Sequence, residues 1–187
     1  MQILLLSACL DGFLDTPYVL ATGLGTVTSI AFERVGHGAD GSAHEDEVAL
    51  FAATDRGMVW IDGNGMVTAV PNGVPTAAVG RPAEDGLIVR ETSIVAGPTH
   101  RVLASGLADP RAAAVDANGR VYVACGADST LFRVDPEPGG TNQLTAVSRH
   151  LGDVRDLAFG IGGLFPPENL YIADGSGSIT YVRPAEK

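Results

Sequence analysis

An all-β fold of small repeated sheets is what this sequence predicts, on three observations. First, a short unit recurs four times, as VLATGLGTVTSIAF (Val19–Phe32), VTAVPNGVPTAAV (Val67–Val79), VLASGLADPRAAAV (Val102–Val115) and LTAVSRHLGDVRDLAF (Leu144–Phe159). Each copy is an apolar strand, a break of Gly, Pro, Asn or Asp, and a second strand rich in small apolar residues. Recurrence at roughly 35 to 48 residues is the period of propellers and solenoids. Second, Gly at 24 and Pro at 11 supply the turns that many short strands need. Third, apolar runs that are parallel to one another follow the units: EVALFAATD (Glu47–Asp55), RVYVACGAD (Arg120–Asp128) and NLYIAD (Asn169–Asp174).

At 187 residues the chain suits one domain with a sizeable core. A hydrophobic fraction of 45% excludes intrinsic disorder. Lys+Arg total 12 against Asp+Glu 22, for a formal charge of −10. Such a surface repels phosphate backbones and anionic membranes, so nucleic acid is not an expected partner. The two cysteines, Cys9 and Cys125, are too few for a disulfide framework. No apolar run reaches the length of about 18 residues that a spanning helix needs.

In chain order, Met1 to Thr16 reads as a leader and tether, and residues 17–187 as the folded domain. Tyr18–Thr22 is the first expected strand. Arg34–Glu47 is an acidic, Gly- and Ser-rich insertion. Ser42 with Glu45 fits a helix capping box that Gly57 would end, but polar Thr54 and Asp55 break the helical face. The match of Glu47–Asp55 to the two later runs favours a strand. The strands then group into blades of four. The first takes Val27–Glu33, Val48–Thr54, Met58–Asp62 and Met66–Val70. The second takes Pro75–Gly80, Gly86–Glu91, a faintly marked Ser93–Ala96, and Arg101–Ser105. The third takes Arg111–Asp116, Arg120–Cys125, Thr130–Asp135 and Gln143–Val147. The fourth has Val154–Gly160, Asn169–Ala173 and Ser178–Arg183, one strand short. Tyr18–Thr22 is one strand too many at the other end, and its VLATG parallels the VLASG that closes the second blade. Docking it on the last sheet removes an unpaired edge, which predicts a small β-propeller of about four blades closed by the N-terminal strand. Ala31, Ala77, Ala78, Ala112–Ala114 and Ala158 then lie near the axis, where small side chains allow close approach.

Two resemblances follow from particular residues. Leu6-Ser7-Ala8-Cys9 resembles the bacterial lipobox. It implies lipidation at Cys9 and a secreted lipoprotein, periplasmic or cell-surface, held to the membrane only through that anchor. Eight residues precede Cys9 and none is basic, which a start codon assigned too late would account for. An apolar N-terminus packed on the domain of a cytoplasmic protein is the other reading. The segments DPRAAAVDANGRVYVACGADSTLFRVD and NLYIADGSGSITYV resemble repeats of the NHL and SMP-30/gluconolactonase-like propellers. That family implies a divalent metal held on the axis by Glu, Asn and Asp. The inner strands here offer Glu33, Asp116 and Asp156, without a matching Asn set. The family's members more often have six blades, so the chain is either a small ring or part of a larger one completed by another chain.

One face of such a ring gathers Asp55, Arg56, Asp109, Arg111, Asp128, His150, Asp153, Arg155 and Asp174. Mixed charges around a depression suit a small molecule, peptide or protein ligand; equally, Asp in a tight turn caps its own backbone. Arg111 and Arg155 occupy equivalent positions, fit either to clasp a carboxylate or to pair with a neighbouring Asp. His37, Asp40, His44, Glu45, Asp46 and Glu47 fit no metal spacing. His100 and His150 have no Ser or Cys motif beside them, and Cys125 reads as a buried apolar residue. The expectation is therefore a non-catalytic binding or scaffold module, with no cofactor and no metal. A metal-dependent lactonase-like hydrolase and a propeller fragment that assembles with another chain are the alternatives.

Overall fold

The computed structural model describes residues 16–34, 48–70, 87–96, 101–136 and 142–184. Within them lie fifteen strands and no helix. The first, β1 (Tyr18–Ala21), is followed by β2 (Val27–Arg34), β3 (Val48–Thr54), β4 (Gly57–Ile61) and β5 (Val67–Ala69), which form antiparallel sheet I in that order. Sheet II is β6 (Leu87–Arg90), β7 (Ser93–Ala96) and β8 (Val102–Ser105). Sheet III is β9 (Pro110–Val115), β10 (Val121–Cys125), β11 (Thr130–Pro136) and β12 (Asn142–Ser148). Sheet IV takes β13 (Val154–Phe159), β14 (Leu170–Asp174) and β15 (Ser178–Val182), with β1 on its far edge. Every expected strand in the described residues is present, its ends displaced by at most one residue, including the faintly marked Ser93–Ala96. The capping-box alternative gives way to strand at Val48–Thr54. Pro75–Gly80, Ala77, Ala78, Cys9, His100 and the acidic insertion from His37 to Glu47 lie outside the described residues.

Burial explains the sequence pattern. The second strand of sheets I, III and IV is an almost unbroken apolar run because both of its faces are covered: Val121–Cys125 is buried throughout. The first strands alternate instead, as in Pro110–Val115. Three core clusters sit between successive sheets. One between II and III contains Ile94, Leu107 and Val123. One between III and IV contains Tyr122, Leu157 and Ile172, with Phe159 edge-on to Tyr122 at 5.2 Å. The third, between IV and I, contains Leu50 and Ile179 and a knot of Phe32, Phe165 and Tyr171 with ring centroids 5.0 to 5.6 Å apart. Each such buried side chain contributes roughly 1.5 to 3 kcal/mol. Cys125 is a free, buried thiol, and burial pushes its pKa up to about 11. It is inert packing rather than a nucleophile.

The N-terminal strand completes the last sheet, as the sequence predicts. β1 pairs antiparallel with β15 through Tyr18↔Tyr181, Val19↔Thr180 and Ala21↔Ile179. The Tyr18 and Tyr181 rings stack at 5.4 Å.

The recurring unit also acquires a physical meaning. In three copies a residue with positive φ (Gly23 at 74°, Gly106 at 71°, His150 at 59°) precedes a buried leucine: Leu24, Leu107 or Leu151. Each leucine donates its backbone N–H to a carbonyl in the middle turn of the sheet the chain is leaving. The acceptors are Gly177, Thr92 and Ser129, each at 3.0 Å. The break is thus a cap, made before the chain crosses to the next sheet. His150, singled out as a candidate ligand residue, stands where the other two copies have Gly.

Candidate ligand-binding site

The first strands of sheets I, III and IV begin alike. In each, one residue is skipped in the ladder: Thr28 between Val27 and Ser29, Arg111 between Pro110 and Ala112, and Arg155 between Val154 and Asp156. Such a bulge re-aims the side chain of the extra residue. Arg111 and Arg155 are turned back onto the Asp two residues earlier. Arg111 meets Asp109 Oδ2 through Nε at 2.9 Å and Nη2 at 2.7 Å, and Arg155 Nη2 meets Asp153 Oδ2 in the same way. Asp109 and Asp153 also accept, through their carbonyls, the N–H of Gly126 and Gly175 at 2.8 Å. Glycine at these two positions leaves room for the pair, because a Cβ on either would fall within 3 Å of both the carboxylate and the guanidinium and push them aside. Asp109 holds the Arg111 guanidinium above its ordinary pKa by hydrogen bond and charge, and Asp153 of the neighbouring sheet adds to it. The four groups therefore form an alternating rim, and both arginines are engaged by carboxylates of the chain itself.

Below that rim is a cavity of about 760 Å³ that all four sheets share. Ile30 and Phe32 come from sheet I, Leu87 and Val89 from sheet II, the alanines at 112–114 from sheet III, and Leu157 and Ala158 from sheet IV. Arg111 and Arg155 reach its wall; the other members of the predicted face do not. Asp55 accepts from the Thr26 N–H at 2.9 Å, and Asp174 from the Ser176 N–H at 2.8 Å. Arg56 and Asp128 are exposed in turns, and His150 is exposed just beyond β12. The structure thus brings together Asp109, Arg111, Asp153 and Arg155. It leaves Asp55 and Asp174 as backbone caps.

Sequence reasoning missed the role of Asp156. Its carboxylate lines the cavity, taking the Ile30 N–H on Oδ2 and the Leu157 N–H on Oδ1, both at 2.9 Å. Ile30 lies on the edge strand of sheet I, whose cavity-side backbone has no strand partner, so Asp156 ties sheet IV to sheet I. Burial raises its pKa above the usual carboxylate range, and the two N–H groups oppose that rise. One signal was available: Asp156 aligns with Ala112 and Ser29, a lone acid in otherwise uncharged positions.

The donor set that the resemblance implies does not assemble. Asp116 is consumed by Arg120, whose Nε lies 2.6 Å from Oδ2, and by the N–H groups of Asn118 and Arg120 on Oδ1. Glu33 buries Oε2 without a hydrogen-bond partner. Among the described residues no three of His, Cys, Asp and Glu come together to hold a metal ion.

No family model matches this chain, and no curated protein matches it. A solved structure described as a "putative gluconolactonase" is similar to it over 92% of this chain and 94% of its own, at 11% identity and a TM-score of 0.37. A likeness at that level assigns neither fold nor activity to the chain.

Proposed function

We propose that the chain is a small β-propeller of four blades, closed by β1, and that it serves as a binding module for a small ligand held in the shared cavity. The observation that carries this reading is the convergence of residues from all four sheets on one space lined by both apolar and charged side chains. Its size lies in the range of small-molecule sites, about 300 to 1,000 Å³. The rim of Asp109, Arg111, Asp153 and Arg155 orients what enters, and Asp55, Arg56, Asp128, His150 and Asp174 stand in the surrounding turns.

Methyl-labelled NMR during a fragment screen tests it. Ligands should shift the methyls of Ile30, Leu87, Ala113 and Leu157 as a set and leave those of Val19 and Val102 in place. A screen in which no fragment moves that set would remove the reading. The metal-dependent lactonase-like alternative regains ground if one divalent ion binds per chain and lactone hydrolysis depends on it. Assembly with another chain predicts a solution mass above that of one copy; a monomer supports the self-closed ring. Export rests on Leu6–Cys9. It predicts incorporation of labelled palmitate that Cys9→Ser abolishes.

A further inference from the structure

We infer that the shared cavity takes an organic cation, an ammonium group on a compact apolar body, with Asp156 as its counter-charge. The inference rests on reading the cavity as a ligand site and adds the chemical class of the ligand. Three features point to a cation. Ile30, Phe32, Leu87, Val89 and Leu157 give its wall apolar groups that can pack against the body of such a guest. Among the described residues that wall carries two carboxylates: Asp116, already held by Arg120, and Asp156, with which no described Lys, Arg or His pairs. The cavity's two arginines, Arg111 and Arg155, are already matched by Asp109 and Asp153.

Asp156 has acceptor capacity left. A carboxylate offers about four lone-pair positions, and the N–H groups of Ile30 and Leu157 occupy two. An ammonium carries three donors and fits the remainder. A carboxylate on the wall also raises the cost of any anionic guest, since like charges repel. Burial raises the Asp156 pKa, and a bound cation would oppose that rise. The chain's net charge of −10 favours the approach of cations over anions.

The test uses three guests of one shape on the full chain: 1-aminoadamantane, 1-adamantanol and 1-adamantanecarboxylate. Binding is read by calorimetry and by the cavity methyls. The amine should bind about tenfold to a hundredfold more tightly than the alcohol, the span of a hydrogen bond to a charged partner, and the carboxylate more weakly still. Asp156→Asn keeps an oxygen for the Ile30 N–H but loses the charge, so amine affinity should fall to that of the alcohol. The inference is overturned if the alcohol or the carboxylate binds as well as the amine, if none of the three binds, or if Asp156→Asn leaves the preference intact. Should Asp156→Asn not fold, the ranking of the three guests on the native chain decides alone. Alcohol or carboxylate bound in the cavity would sink the cation and leave the ligand site standing. Cavity methyls silent toward these guests and toward the whole fragment screen would remove the site itself.

Discussion

Sheets III and IV are built to one plan from differently connected chain. Sheet III runs without interruption from β9 to β12, whereas sheet IV takes three strands from the C-terminal end and borrows β1 from the other. Both begin with a bulged Arg folded back on an Asp, and both end in a left-handed residue and a leucine capping the middle turn. Leu151 serves Ser129 in sheet III, and Leu24 serves Gly177 in sheet IV. The borrowed strand therefore supplies both the edge and the cap that a covalently continuous strand supplies elsewhere. It is the shorter of the two, with Tyr18 and Val19 63% and 65% exposed. Geometry is shared; what differs is the length of chain that must be closed, a cost that grows only slowly with loop length.

The largest expected effect comes from removing β1. A chain starting at Thr22 should lose roughly 3 to 5 kcal/mol, from about two buried apolar side chains and the strand's hydrogen bonds. Denaturant unfolding measures this, with a chain starting at Thr16 as the control and a synthetic β1 peptide added in trans for rescue. If the two chains unfold together, the borrowed strand is ornamental and the comparison breaks.

Next come the caps. Leu24→Ala and Leu151→Ala should each cost about 2 to 5 kcal/mol, as buried leucine truncations do. Near-equal losses sharpen the likeness of the two sheets. A loss at Leu24 below about 1 kcal/mol would mean that its side chain does not anchor sheet IV as that of Leu151 anchors sheet III.

Asp156 marks where the two sheets diverge, since Ala112 holds its place in sheet III. Asp156→Ala orphans the N–H groups of both Ile30 and Leu157 and should cost about 1 to 3 kcal/mol, whereas Asn keeps one acceptor and should cost less. Because the folded pKa of Asp156 is raised, its favourable contribution is full below the unfolded value, about pH 4, and is lost as pH rises through the folded one. Asp156→Asn should remove that decline from the stability–pH curve. A variant curve parallel to the native one would refute the sign.

The smallest effects test the left-handed position. No atom lies within 4 Å of a Cβ built on Gly106, so Gly106→Ala reports backbone strain alone, about 1 to 2 kcal/mol. His150→Gly should run the other way and gain up to about 1 kcal/mol. Melting curves of the two variants, one below and one above the native chain, check both.

The strands were legible because their causes are local. Alternation in Pro110–Val115, the apolar run Val121–Cys125 and the turn Asp116–Gly119 are each decided by a few neighbouring residues. Ser93–Ala96 was hard to read because four residues carry little pattern, yet pairing with β6 and β8 makes it a strand. The site was less legible. The sequence marked Arg111 and Arg155 as equivalent but left open whether each would clasp a ligand or pair with an Asp, and the bulge decides for Asp.

By itself, then, the sequence determined the repeat, the all-β class, the strand ends and the spare strand at the start that the last sheet lacks. Tertiary structure decided that Asp156 meets Ile30, that His150 serves as a left-handed cap, and that residues from all four sheets line one cavity. The reason is range. A strand or turn is stabilised by residues a few positions apart, and its signal is written where it acts. A carboxylate bonded across 126 positions of chain has its partner named nowhere near it, and only the packed sheets bring the two within 2.9 Å.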